Sequence, residues 1–531
     1  MPKITVDDVE IEVPAGKTLL QALDDVGVLM NGVDIPHYCW HPKLSIDGSC
    51  RMCQVEIEGA PKLSIACNTP VRDGMVVHTT SAKVQSTRRG VMELLLVNHP
   101  LDCPICDKAG ECLLQDYSFA YGSRESKTAE PRRKLEKRKD IGPRMILDQE
   151  RCILCRRCVR FCREITKTSE LGVFNMGERS VLDVMDGKPL ANDYSICTAD
   201  VCPVGALESK DFHHKLRVWF LKKTPSVCPG CSNGCNITVH HYRDRVWRLM
   251  PRRNDAVNDT WMCDAGRLGY KYINEENRFR VPHHRSNGSL EALTWDEALG
   301  TVAGWLRDGA KAGGGIGAIA SPHLTNEENF RFSKLLETCS VKNVAVAVRR
   351  GDSDDYLIKA EKAANGRGAR DMGLDRSSVS SILEAAAAGR LSTLYVCGSD
   401  LLSEDNTLVE RGLKGVENLI VQDVAPSALT ERAAIVLPSL TFAEKVGTFT
   451  NHAGRVQALH RAIEPLDGQL CDGEIFSRLL SRLGEGHWTF DPRRVLAEEI
   501  APAISGYAQL TFDTIGACGV AVEGAPAGVP A

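Results

Sequence analysis

The placement of cysteine constrains this chain more than any other feature. Of its 21 cysteines, seventeen lie between Cys39 and Cys263, and four, Cys339, Cys397, Cys471 and Cys518, are scattered beyond. At about 4% of the chain they fall well below the density of a disulfide scaffold, and their recurring close spacing points to metal ligation. A chain of 531 residues also exceeds one ordinary core. The reading is therefore a multidomain protein whose front half binds metal and whose back half does something else.

The first group is Cys39, Cys50, Cys53 and Cys67. Alternation at Ile4 and Val6, a short apolar run over 11–13, and helical spacing of Leu19, Leu20, Leu23 and Val26 predict a small β-grasp ferredoxin around it. Three thiolates on one loop and a fourth from a following strand supply the four ligands of a 2Fe-2S centre. Ten residues separate Cys39 from Cys50, more than in the plant-type pattern. Zinc is the competing reading, although zinc motifs usually come as two close pairs.

A helix is predicted over 84–98, carrying Val91, Leu94, Leu95 and Val97, and leads into the second group: His99, Cys103, Cys106 and Cys112. Alone, this set also describes a Cys3His zinc knuckle. The third group, Cys152, Cys155 and Cys158 with Cys202 in VCPVGAL, is the most specific: a tight CxxCxxC turn and a remote Cys-Pro are the bacterial 4Fe-4S ferredoxin arrangement. Cys162 and Cys197 lack a second CxxCxxC and read as spectators. The fourth group, Cys228, Cys231, Cys235 and Cys263, has C-x2-C-x3-C spacing and a distant fourth cysteine.

This succession resembles the large iron-sulfur subunit of respiratory complex I, NADH:quinone oxidoreductase. The resemblance implies one 2Fe-2S cluster on the first group and three 4Fe-4S clusters on the others, with His99 as an iron ligand. It implies an electron relay from an NADH/FMN-binding subunit toward a two-cluster ferredoxin-like subunit, a small 2Fe-2S subunit among the partners, and no NADH, flavin or quinone site on this chain. An iron-sulfur subunit of an NAD-linked formate dehydrogenase or hydrogenase is the alternative; a catalytic iron hydrogenase would need TSCCP- and MPC-type strings, which are absent. The expected location is the cytoplasmic face of the cell membrane, reached only through the complex.

Expected domains are a β-grasp 2Fe-2S ferredoxin over 1–80, a helical His/Cys3 segment over 81–140, a 4Fe-4S ferredoxin-like domain over 141–220 and a further 4Fe-4S segment over 221–275. The last, 276–531, is a shortened molybdopterin-oxidoreductase-like α/β domain, a likeness carried by residues 435–457. Thr294 and Glu297 form a capping box before a helix, and apolar runs at 316–320, 344–348, 394–396 and 419–421 predict a parallel sheet. Gly313, Gly314, Gly315 and Gly317 precede the first of these strands, whereas a dinucleotide fingerprint follows its strand. A net charge of -4 attracts neither nucleic acid nor anionic lipid. MPKITVDDVEIEV has no signal-peptide pattern, and no stretch reaches roughly 18 uncharged apolar residues. The basic run over 132–139 reads as a solvated connector, with a subunit contact as its alternative, and the Gly-, Ala- and Pro-rich end as frayed.

Overall fold

The computed structural model describes residues 1–522 apart from 124, 127, 287, 312–314 and 485. The tail 523–531 lies outside the described residues, as do Gly313 and Gly314. The chain forms two compact units, Met1–Leu221 and a second beginning at Lys222.

The first unit opens with a five-stranded sheet that grasps a helix. Strands β1 (Lys3–Val6) and β2 (Val9–Glu12) form a hairpin, helix α1 (Leu19–Asp25) follows, and β3 (Gln54–Ile57), β4 (Ser64–Ile65) and β5 (Met75–His78) complete the order β2-β1-β5-β3-β4. Thr18 and Gln21 cap α1 reciprocally, and its apolar stripe Leu19, Leu20 and Leu23 is buried against Ile4, Val6, Val55 and Val77. Helix α2 (Ala82–Leu96) starts at Ser81, whose hydroxyl accepts from the Val84 amide. It buries Val84, Arg88 and Met92 at four-residue spacing, so Leu94 and Val97 face outward. Helix α3 (Leu113–Tyr121) follows Cys112 directly.

The rest of this unit is built from short pieces: β6 (Lys139–Asp140), β7 (Met145–Leu147), α4 (Arg157–Glu164), β8 (Leu171–Phe174), β9 (Val181–Val184), α5 (Cys197–Val201) and β10 (Leu207–Ser209). The basic run is strapped down at two lysines. Lys137 pairs with Asp102, Asp148 and Glu150, and Lys139 with Asp183 at 2.7 Å.

In the second unit, β11 (Lys222–Val227), β12 (Asn236–Tyr242) and β13 (Arg245–Pro251) form an antiparallel sheet, and α6 (Asp264–Leu268) follows. A seven-stranded sheet comes next, formed by β14 (His283–Ser286), β15 (Ser289–Ala292), β16 (Ile316–Ala320), β17 (Asn343–Val346), β18 (Thr393–Cys397), β19 (Asn418–Asp423) and β20 (Ile435–Pro438). Its order is β15-β14-β20-β19-β18-β16-β17, and β16 to β20 are mutually parallel.

Strands buried on both faces need helices on both sides. Helices α7 (Trp295–Lys311), α8 (Asn326–Thr338) and, beyond the short α9 (Gly366–Asp371), α10 (Val379–Ala387), α11 (Asn406–Lys414) and α12 (Asp472–Arg482) supply them. Tyr395 of β18 packs with α7, α8 and α12, while Leu394 and Val396 pack with α10 and α11. The Thr294–Glu297 box that starts α7 is present in both directions. Helix α7 ends at Lys311, and β16, which holds Gly317, starts at Ile316 directly after Gly315. A Cβ on Gly317 would lie 2.9 Å from Leu391 and 3.1 Å from Ile382, so glycine there lets α10 approach closely. A final sheet holds β21 (Gly447–Thr450), β22 (Arg455–Leu459) and β23 (Val520–Ala521). Among the described residues, no helix is long and apolar enough to cross a membrane.

Candidate metal centres

In the first group, the loop between α1 and β3 carries Cys39, Cys50 and Cys53, while Cys67 sits in a tight turn after β4. Arg51, between two of them, takes the left-handed conformation at φ 58°, which folds Cys50 and Cys53 toward one point. The Cys39 thiol faces Cys50, and that of Cys53 faces Cys67. Within the first pair, the hydrogen bond from Cys50 holds Cys39 below its usual range, and Cys50 is correspondingly pushed up.

The third group is wound more tightly. Leu154 and Arg156 are both left-handed, at φ 52° and 55°, each at a cost of about 1–2 kcal/mol that a non-glycine residue bears only where the surroundings hold it. Their reversal turns Cys152, Cys155 and Cys158 inward onto Cys202, which caps the end of α5. All four line one small cavity closed by Ile153, Leu182, Val204 and Leu207. Burial pushes Cys155 up to about 11 and Cys158 well above the ordinary thiol value. Thiols so buried are neutral until a cation displaces their protons. Cys162 and Cys197 are buried but do not line this cavity.

The second group lies between α2 and α3 in a cavity of about 580 Å³, whose lining includes His99, Cys103, Cys106 and Cys112. Burial lowers His99 to about 4, so the ring is neutral at pH 7, and its Nδ1 is buried without a hydrogen-bond partner. A neutral imidazole with one orphaned nitrogen beside three cysteines is a donor set suited to a cation. A Cβ on Gly205 would lie 2.2 Å from Cys106 Sγ, so only glycine lets the CPVGAL loop pass this ligand.

The three groups adjoin one another within the first unit. Arg160 donates from one nitrogen to the carbonyls of both Cys39 and Cys155, the latter at 3.3 Å. The buried Arg157 donates to Trp40 and to Val201 beside Cys202. Arg151, preceding Cys152, reaches Asp102, preceding Cys103, at 3.2 Å. Leu113 N–H, after Cys112, donates to Pro203 O, after Cys202. The third group therefore touches both others.

The fourth group belongs to the second unit. Cys228, Cys231 and Cys235 occupy the loop between β11 and β12, and Cys263 caps α6, its Sγ accepting from Gly266 N at 3.3 Å. Cys235 Sγ accepts from Asn233 Nδ2 at 3.1 Å. A Cβ on Gly266 would meet Cys228 Sγ at 3.0 Å and Cys263 Sγ at 3.4 Å. These thiols share the wall of a cavity of about 1040 Å³ with Ser321, Gly398, Asp423 and Ser439, residues at the carboxyl ends of the parallel strands.

All sixteen residues singled out by spacing are thus gathered into four sets of four, with most thiols buried, Cys50, Cys152 and Cys263 partly so and Cys103 exposed. Arg157, Arg160 and Gly205 escaped sequence reasoning. Arginine inside an otherwise apolar turn, in RCILCRRCVRFC, was the available signal for the first two.

Comparison with known proteins follows the same divisions. Residues 2–82 match a 2Fe-2S iron-sulfur cluster binding domain, and 88–127 the NADH-ubiquinone oxidoreductase-G iron-sulfur binding region. Residues 142–208 match the ferredoxin-like domain of NADH-quinone oxidoreductase subunit 3. Residues 221–275 match the molybdopterin oxidoreductase Fe4S4 domain and 355–482 molybdopterin oxidoreductase. The G-type NADH-quinone oxidoreductase subunit of Rickettsia felis is 40% identical over 346 residues, 65% of this chain and 50% of its own. That of Rickettsia conorii is 40% identical over 365 residues, 69% of this chain and 52% of its own. The NADPH-Fe(3+) oxidoreductase subunit alpha of Geobacter sulfurreducens is 36% identical over 419 residues, 78% of this chain and 47% of its own. The chain spans about half the length of these curated relatives. The expected fold class and the resemblance to the large iron-sulfur subunit of NADH:quinone oxidoreductase are both borne out, and regions of 2Fe-2S and 4Fe-4S type are present.

Proposed function

We propose that this chain is an electron-relay subunit of an NADH:quinone oxidoreductase, holding one 2Fe-2S and three 4Fe-4S clusters. Cys39, Cys50, Cys53 and Cys67 would hold the first. His99, Cys103, Cys106 and Cys112, then Cys152, Cys155, Cys158 and Cys202, then Cys228, Cys231, Cys235 and Cys263 would hold the others. Bound clusters supply outer-sphere, one-electron chemistry, and no side chain need act as an acid or base. The chain's own part is to supply thiolates, exclude water and set hydrogen bonds to sulfur, as Asn233 and Gly266 N–H do. Its partners would be an NADH/FMN-bearing subunit, a small 2Fe-2S subunit and a two-cluster ferredoxin-like subunit, with the complex resting on the cytoplasmic face of the membrane.

The observation that carries this reading is the continuity of the first three groups. Arg160 bridges backbone carbonyls of two of them, and the CPVGAL loop of one is packed on a cysteine of another. Independent zinc staples would have no need to touch. Anaerobic iron and sulfide analysis of the chain should find about 14 iron atoms, the total for these cluster types, with a comparable amount of sulfide. Stoichiometric zinc with little sulfide would end the relay reading.

A further inference from the structure

Outside the four cysteine groups, we propose that Asp107, His213 and His214 form a binding site for a divalent cation of the zinc type. One ligand atom from each of the three lies within 4.8 Å of the others. Zinc bonds of roughly 2.0–2.2 Å in a tetrahedron place ligand atoms about 3.4 Å apart, so closure needs side-chain rotation of about 1 Å. The exposed His214 and the half-buried His213 and Asp107 leave room for that and for entry of the ion.

The backbone is already shaped for it. His214 is left-handed at φ 55°, and its N–H donates to Asp107 Oδ2 at 2.7 Å, so the turn after β10 is tied to Asp107 itself. The two imidazoles stack with centroids 3.8 Å apart and planes 22° from parallel.

A second observation points to a cation. Nδ1 of His213 lies 3.0 Å from Glu208 Oε2 and 3.4 Å from Asp107 Oδ2, close to the spacing that a shared metal would impose. It is shielded from solvent yet aligned as a hydrogen-bond partner to neither. The other oxygen of Glu208 is held by Arg151 at 2.8 Å, which aims Oε2 at the histidine. A ring nitrogen and two carboxylate oxygens converge here, and a cation would satisfy all three. Imidazole with carboxylate suits zinc, and its lack of sulfur separates this site from the iron-sulfur groups.

The test uses the full chain, prepared anaerobically with its iron measured, stripped with a mild chelator and dialysed against buffered zinc. One added equivalent of zinc is expected, with a nitrogen and oxygen shell near ~2.0–2.1 Å by zinc-edge X-ray absorption. The His213→Gln/His214→Gln double variant should lose that equivalent with iron content unchanged. Asp107→Asn, which keeps an oxygen for the His214 amide, gives the same readout if the double variant fails to fold. Failure of zinc to bind, or its retention by the double variant at full iron, would overturn the site. A sulfur shell near ~2.3 Å would also overturn it, and low iron in that sample would count against the cluster assignment instead.

Discussion

A Cβ added at Gly205 would come closer to a proposed ligand than one at Gly230 or Gly266, which makes Gly205→Ala a sharp test of the second centre. The new methyl carbon would stand 2.2 Å from Cys106 Sγ, 3.2 Å from Lys108 Cβ and 3.3 Å from Glu208 Oε1. Ordinary contact between such atoms is about 3.5–4.0 Å, so carbon and sulfur must part by about 1.5 Å. Neither backbone is free to yield: Cys106 N–H donates to Asp102 at 2.8 Å and its carbonyl accepts from Arg217 at 2.7 Å, while Gly205 O accepts from Arg151 at 3.3 Å. The sulfur must therefore rotate, and metal–ligand distances tolerate only about 0.2 Å. Overpacking of this kind typically costs ~1–3 kcal/mol, which a unit of this size survives. Folded protein should be recovered with iron reduced from about 14 to about 10 atoms and one 4Fe-4S signal missing from the electron paramagnetic resonance spectrum. Gly266→Ala, with its closest sulfur at 3.0 Å, should do less, and Gly230→Ala, at 3.5 Å from Cys228 Sγ, should be nearly silent. Full iron and an unchanged spectrum in Gly205→Ala would refute the placement of Cys106 as a ligand.

Three further outcomes are expected. His99→Cys should keep a 4Fe-4S cluster but lower its midpoint potential, because an anionic thiolate replaces a neutral imidazole; a redox titration identical to wild type would remove His99 from the ligand set. Cys228→Ala should reduce the amount of assembled complex while leaving turnover per complex near normal, since a site that chiefly folds its domain converts binding energy into stability; intact assembly with turnover down by orders of magnitude would put this cluster in the relay. Burial lowers His37 to about 4 and His240 to about 3, so the unfolded chain takes up protons first as pH falls through about 6.5. Stability from these rings is complete above that pH and is lost below it, by about 2 kcal/mol per histidine between pH 7 and pH 5, and denaturation midpoints that rise on acidification would contradict the sign.

The grouping of the candidate ligand residues was legible in the sequence because metal-binding chemistry is confined to a few residue types at fixed spacing. The parallel sheet was legible because strands buried on both faces leave uninterrupted apolar runs, as at 316–320 and 419–421. What escaped depends on which distant segment a residue meets. Leu94 looked like part of the apolar face of α2, yet the helix buries Val84, Arg88 and Met92 against the ferredoxin sheet, and no local pattern distinguishes the two faces. Lys137 looked like one more cation in a solvated run, but Asp102, Asp148 and Glu150 claim it. The bridging roles of Arg157 and Arg160 depend on the three-dimensional return of the chain to residues 39–45, which no local pattern carries.

The fourth group is bound closely to the α/β half that follows it. Its loop, residues 228–235, is gripped by side chains and backbone from more than a hundred residues away: Ser232 N–H donates to Glu361 O at 2.8 Å, His452 N–H to Ser232 O at 2.8 Å, Asn451 to Asn233 O at 3.1 Å, and Gln457 to Gly234 O at 2.9 Å. Three of those four partners lie in the 435–457 segment or at its end. Behind it, the buried Lys445 joins Glu328 of α8 at 3.0 Å to Asp472 of α12 at 2.7 Å, and Arg278 meets Glu444 at 2.6 Å. Removing one partner from such a buried set costs about 3–5 kcal/mol, because the charge left behind has no water to turn to. The grip on the cysteine loop is therefore only as firm as the α/β core that holds residues 444–457 in place. Coupling runs the other way as well: a metal centre that fixes the loop fixes the partners of Asn451 and Gln457, so filling the site and folding the domain are one equilibrium.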